Sequence, residues 1–167
     1  MKKLILVSGP AAIGKSTFSK RYRESNPREN VLIISADEMR KQMYGGYDKF
    51  PPNNNMMLVY GAMTELAKEY AKNNEDVTVI FDTTMLYDER RLFFRRELEG
   101  YFDHYALILL RLHNYQECLE RNRRRPKEKF VPENVITDMI AHYEDPSPFT
   151  IAQFDSFENV YADLPKN

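Results

Sequence analysis

The 167-residue chain contains one cysteine, no tryptophan, three histidines and no excess of either charge, with 24 Lys plus Arg against 25 Asp plus Glu. Cys118 has no second cysteine to pair with, so an internal disulfide is excluded and a reducing, cytoplasmic setting is expected. His104, His113 and His142 are scattered without metal-ligand spacing, which argues against a histidine-built metal centre. No apolar run approaches the ~18 residues of a membrane span. Met1 to Val7 also leads directly into a Gly-containing turn with no leader-peptide pattern, so neither membrane insertion nor secretion is expected. A net charge of -1 argues against broad, non-specific coating of nucleic acid, which rests on a large surplus of Lys and Arg, and leaves a local basic groove open. About 43% hydrophobic residues is enough for a buried core without staples, and one domain over 1–167 is expected.

Short apolar runs recur at Lys3 to Val7, Val31 to Ile34, Val77 to Phe81 and Tyr105 to Leu110, with a weaker fifth near Phe157 to Tyr161. Stretches with helical spacing separate them: Lys15 to Ser25, Asp37 to Tyr44, Asn54 to Asn73, Asp88 to Tyr101, Tyr115 to Arg123 and Pro132 to Tyr143. This alternation predicts an α/β fold with a parallel five-stranded sheet and helices on both faces. Gly45 to Asn55, rich in Gly, Pro and Asn, is longer than an ordinary connection and reads as a surface loop or a mobile functional one.

Immediately after the first strand stands Gly9-Pro10-Ala11-Ala12-Ile13-Gly14-Lys15-Ser16, a complete GxxxxGKS phosphate-binding loop in strand, loop, helix order. Gly9 and Gly14 let the backbone approach phosphate oxygens, and the loop amides and helix N-terminus supply positive potential. Lys15 matches the β and γ phosphates, and the Ser16 hydroxyl can ligate Mg²⁺. The segment therefore predicts a P-loop NTPase fold in which Gly9, Ala12, Ile13, Gly14, Lys15, Ser16 and Thr17 hold ATP or GTP, with Ser16 as the metal ligand; by itself it does not distinguish a kinase from an ATPase or a switch GTPase.

Strand ends in an open parallel sheet face the ligand crevice, and two more carboxylates fall there. Asp37 follows the second strand with Arg40 one helical turn later, so a base for an attacking hydroxyl and a cation for an anionic acceptor share one helix face. Asp82 and Thr83, followed by Thr84, end the third strand, where the carboxylate can act on Mg²⁺ through water or orient the loop. Arg121, Arg123 and Arg125 alternate before Pro126 and predict a helical lid over about 121–132 that brings an arginine to the transferring phosphoryl group. The bland readings are helix caps for Asp37 and Asp82 and a solvated basic face for the arginines.

Taken together, GPAAIGKST, SADEMR, FDTTMLYDERR, LERNRRRP and VPENVI resemble, in register from Met1 to about Tyr143, the P-loop polynucleotide kinase family. The resemblance implies that Lys15 and Ser16 engage ATP and Mg²⁺, and that Asp37 is the general base for a 5'-hydroxyl. It implies Arg40 on the phosphate beside the acceptor sugar, Asp82 and Thr83 as supports, Arg125 as the lid arginine and Arg121 nearer the adenine. Two departures stand out. The lid spacing differs by about one residue, leaving Arg123 and Arg124 as alternatives to Arg125. Ala36 occupies the position before the catalytic aspartate where the resemblance implies a basic residue, which removes a contact to a nucleic-acid backbone.

The implied partners are thus ATP and either a 5'-hydroxyl nucleic-acid end or a small-molecule hydroxyl acceptor, such as a nucleoside, nucleotide sugar or antibiotic. A nucleotide-dependent switch without transfer chemistry is the reading from another class. Within Asp88 to Arg96, Arg91 and Arg95 share a helix face that reads either as a basic strip beside the acceptor pocket or as a solvated face, and the mixture with Glu89 and Glu97 favours the solvated face. Cys118 reads as a small buried hydrophobe.

Overall fold

A computed structural model describes residues 1–163. Five strands, β1 (Lys2–Ser8), β2 (Val31–Ser35), β3 (Val77–Asp82), β4 (His104–Arg111) and β5 (Ser156–Tyr161), form one sheet in the order β2-β3-β1-β4-β5. Every neighbouring pair is parallel. The helices are α1 (Lys15–Ser25), α2 (Ala36–Tyr44), α3 (Met57–Asn73), α4 (Asp88–Glu97), α5 (Gln116–Arg123), α6 (Glu133–Ala141) and α7 (Pro148–Ala152).

Period-two alternation along the central strands divides the core into two layers. Leu4, Leu6, Val79, Phe81 and Leu107 face one side, packed against Val59, Met63 and Ala67 of α3 and Phe94 of α4. Ile5, Val7, Ile80, Ile108 and Leu110 face the other, against Phe18 of α1, Cys118 of α5 and Ile136 of α6. Because both faces are covered, the central strands read as continuous apolar runs. At the sheet edge, β5 holds no fully buried residue, only Phe157 and Val160 being half-buried, which is why its signal in the sequence is weaker.

The element ends differ from expectation where turn geometry intervenes. Helix α3 starts at Met57, not Asn54, because Asn53 and Asn54 sit at φ 57° and 52° in a single 3-10 turn over Pro52–Asn54. The expected helix to Tyr101 ends at Glu97, followed by Gly100 at φ 83°. Helix α7 has no counterpart among the expected elements. It is five residues long, capped by the Ser147 hydroxyl, which accepts the Thr150 amide at 3.2 Å, with Pro148 at its first position.

Candidate active site

The carboxyl edge of the sheet gathers the site. The loop from Gly9 to Gly14 leaves β1 and closes on the N-terminus of α1, with Ala12 at φ 66° and Gly14 at φ 116°. A side chain is unavailable at Gly9 for a steric reason: a Cβ there would lie 2.6 Å from Ile13 Cγ2. The loop is a cradle of backbone amides fitted to phosphate oxygens. Lys15 is 9% exposed, and its Nζ donates to the carbonyls of Gly9 and Pro10 at 2.9 Å each. Ser16 and Thr17 are exposed at the mouth.

Asp37, Asp82 and Arg125 join Lys15 in one electrostatic cluster. Burial pushes the Lys15 ammonium below its ordinary range, the carboxylates of Asp82 and Asp37 oppose that shift, and Arg125 adds to it. Asp82 is pushed up by burial, with Lys15 opposing, Asp37 adding and Arg125 opposing. Lys15 opens α1 after the phosphate loop, Asp37 lies at the start of α2, Asp82 ends β3 and Arg125 follows α5.

Neither carboxylate is a helix cap. The cap of α2 is Ser35, whose hydroxyl accepts the Glu38 amide at 3.4 Å, leaving the Asp37 side chain 62% exposed. Asp82 ends β3 several residues before Tyr87, the cap of α4. Arg40, by contrast, is buried. Its Nη1 donates to Asp37 Oδ1 at 3.0 Å, its Nη2 donates to the Tyr47 carbonyl at 2.6 Å, and its guanidinium lies 4.5 Å from the centre of the Phe50 ring. Arg40 Nε is buried without a partner. Thr83 is buried and Thr84 half-buried beneath this region.

The lid arginines have distinct placements. Arg121 Nη1 donates to the Ile13 carbonyl at 2.7 Å, while its Nη2 reaches Glu117 at 3.1 Å and the Ala162 carbonyl at 3.2 Å. Arg121 thus braces the phosphate loop itself. Arg123 faces outward in a pair with Glu133 at 2.7 Å. Arg125 is the lid arginine whose charge reaches Lys15 and Asp82.

Three features escape sequence reasoning. Tyr47 and Phe50 lie in the long Gly45 to Asn55 loop and flank Arg40; the length of that loop is the only signal the sequence carries for them. The Lys129 ammonium sits 4.9 Å over the Tyr47 ring, so the segment after α5 touches the Gly45 to Asn55 loop. Arg91 contradicts the solvated-face expectation outright: it is 0% exposed, because backbone carbonyls from other segments turn inward to meet it. Arg95 is half-buried and stacks 3.5 Å from the Tyr105 ring centre.

A phosphate cradle at the central strand of a parallel sheet with flanking helices defines a P-loop kinase-like α/β domain. The AAA domain family matches residues 4–146, and the chain belongs to this family. The chain is 26% identical over 148 residues to the L-seryl-tRNA(Sec) kinase of Methanococcus maripaludis, covering 86% of this chain. It spans about half, 53%, of that curated relative's length. Its fold is similar to that of a fungal RNA kinase, with a TM-score of 0.65, 16% identity, and coverage of 99% of this chain and 76% of the other. It is also similar to a gluconokinase from Sinorhizobium meliloti 1021, with a TM-score of 0.61, 18% identity, and coverage of 98% and 84%. At such identities these structures establish the fold. Among the described residues, no helix is long and apolar enough to cross a membrane.

Proposed function

We propose that the protein is an ATP-dependent kinase that transfers the γ-phosphoryl group to a hydroxyl, with the 5'-hydroxyl end of a polynucleotide as the leading acceptor. The observation that carries this reading is the pairing of Asp37 with Arg40. An exposed carboxylate able to take a hydroxyl proton is tied at 3.0 Å to a buried guanidinium with an unpartnered Nε, beside the exposed Phe50 ring. That combination suits an acceptor with an anionic group and a flat ring near its hydroxyl, as a nucleotide 5' end has.

In the proposed reaction the loop amides and Lys15 hold the β and γ phosphates, and Lys15 exchanges its two carbonyl contacts for phosphate oxygens. Asp37 accepts the proton of the acceptor hydroxyl as its oxygen attacks phosphorus and the bond to ADP breaks. Arg125 balances the charge spread over the transferring group, and the lid limits the access of water. The donor set fits a Mg²⁺ ion held by the Ser16 hydroxyl together with nucleotide phosphates, with Asp82 acting through water. When bound, the ion would neutralise charge between the β and γ phosphates.

A second reading, a small-molecule kinase, is favoured by Ala36 and by the net charge of -1, both of which give a long nucleic-acid backbone little to grip. Cytoplasmic action and a lid spanning about 121–132 belong to either reading. The test is transfer of labelled γ-phosphate from ATP with Mg²⁺ to a short 5'-hydroxyl oligonucleotide, beside a panel of nucleosides and small alcohols. Label on the oligonucleotide supports the leading acceptor, and label only on a small alcohol replaces it with the second reading.

A further inference from the structure

We infer that Arg91 is a positioning residue that locks the segment after Asp82, the chain returning from the lid, and the start of the phosphate loop into one register; its catalytic meaning rests on the kinase reading. Arg91 is the largest of the fully buried side chains and touches none of the proposed reacting groups. Its Nε donates to the Met85 carbonyl at 3.1 Å, Nη1 to Asp88 Oδ1 at 3.0 Å and Nη2 to the Glu144 carbonyl at 2.5 Å. Longer contacts of 3.4 Å run to Ser8 Oγ and the Leu86 carbonyl. Apart from Asp88, which opens the helix α4 that carries Arg91, these acceptors belong to three segments: the end of β1, the turn between β3 and α4, and the link from α6 to α7.

Filling a core cavity does not call for this arrangement, since an apolar residue of similar volume fills space without a buried charge. A planar fork of five donors does something an apolar residue or a lysine cannot: it fixes several carbonyls at set angles simultaneously. Met85 is a non-glycine residue at φ 41°, a conformation that persists only where its surroundings enforce it. Its carbonyl receives both Arg91 Nε and the Ser8 hydroxyl, the latter at 2.7 Å.

The adjoining bonds carry the lock to the site. The Gly9 amide donates to the Thr84 carbonyl at 2.9 Å, so the first residue of the phosphate loop is pinned to the segment holding Asp82 and Thr83. The Glu144 amide donates to the Leu86 carbonyl at 3.0 Å, and the Ser147 amide to Asp88 Oδ2 at 3.0 Å. The chain emerging from α6 is thereby tied to the same turn. Tyr143 adds a bond from its hydroxyl to the Ser8 carbonyl at 2.9 Å. Among the described residues, Arg91 is the one side chain that bonds to all three segments.

The test compares Arg91→Lys with wild type by amide hydrogen exchange and by steady-state kinetics with the acceptor that wild type uses best. The variant is expected to keep protection in β1, β3 and β4 while the Gly9, Glu144 and Ser147 amides all exchange at least ~10-fold faster. Turnover is expected to fall at least ~10-fold while the KM for ATP moves less than ~3-fold, the pattern of an interaction needed for the transition state and not for nucleotide binding. Unchanged protection at those three amides, or turnover of the folded variant within twofold of wild type, overturns the inference. Should Arg91→Lys fail to fold, Asp88→Ala, which removes the acceptors of Nη1 and of the Ser147 amide, is read at the Gly9 and Glu144 amides and in turnover, with the same expectations and the same refutation. Exchange needs no phosphoryl transfer. A wild type inactive on every acceptor would therefore refute the kinase reading and leave the exchange result to decide the role of Arg91.

Discussion

Arg121, at the base of the lid, donates a 2.7 Å hydrogen bond to the carbonyl of Ile13 in the phosphate loop, 108 residues away in the chain. The same guanidinium reaches the Ala162 carbonyl after β5, so one side chain joins the loop, the lid and the last strand. Charged hydrogen bonds of this kind contribute about 1.5–3 kcal/mol each. Arg121→Ala is expected to raise the KM for ATP about tenfold or more, with a smaller change in turnover, because the loop loses its brace while the reacting groups remain. Nucleotide titration by calorimetry checks this. An unchanged nucleotide affinity would contradict it.

The lid arginines separate by function. Arg125, whose Nη1 donates to the Lys129 carbonyl at 3.4 Å, carries a charge that acts on Lys15 and Asp82, whereas Arg123 is an exposed partner of Glu133. Arg125→Ala is expected to lower turnover about 10²-fold or more, the cost of removing one preorganised donor to a developing charge. Arg123→Ala and Arg124→Ala are expected to stay within about threefold of wild type, in keeping with the small value of exposed pairs. Single-turnover rates for the three variants decide the assignment.

Asp82 gives a pH signature. Its folded-state value is raised above the ordinary 3.8 by burial, so the folded protein binds this proton more tightly than the unfolded chain does. The associated stability is fully present below 3.8 and is lost as pH rises through the raised folded value. Asp82→Asn removes that loss: it is expected to be more stable than wild type near neutral pH and no more stable below pH 3.8, while losing about 10–100-fold in turnover. Chemical denaturation at several pH values, beside activity, measures both effects.

Cys118 is fully buried, and its thiol is pushed up to about 11, chiefly by burial, with Lys15 and Arg121 opposing. At pH 8 the folded protein is expected to react with a thiol reagent about 10²-fold more slowly than the unfolded chain, through transient opening. Reaction at the unfolded rate in native buffer would place Cys118 at the surface.

Much of this architecture is written locally. The three central strands, β3, β1 and β4, are legible because burial on both faces makes them unbroken apolar runs, and the phosphate loop because Gly9 and Gly14 answer steric demands of the backbone. Asp37 and Arg40 are legible because helical spacing alone brings them together, three residues apart. Arg91 is illegible for the opposite reason: a DERR segment looks solvated, and its burial depends on carbonyls supplied by Met85, Leu86 and Glu144. Tyr47 and Phe50 are hidden likewise, since a loop sequence does not say which helix it folds against. Helix α7 is too short for periodicity to register.

The central claim is that Asp37 performs chemistry and is not merely a polar residue at a helix start. The measurement that tests it most directly is turnover of Asp37→Asn on the best acceptor, beside ATP affinity by calorimetry. The account predicts ATP binding within a few-fold of wild type and turnover reduced by about 10²–10⁴, the contribution of a general base. Retained turnover in this variant would contradict the account and leave Asp37 as a structural residue in a nucleotide-binding protein.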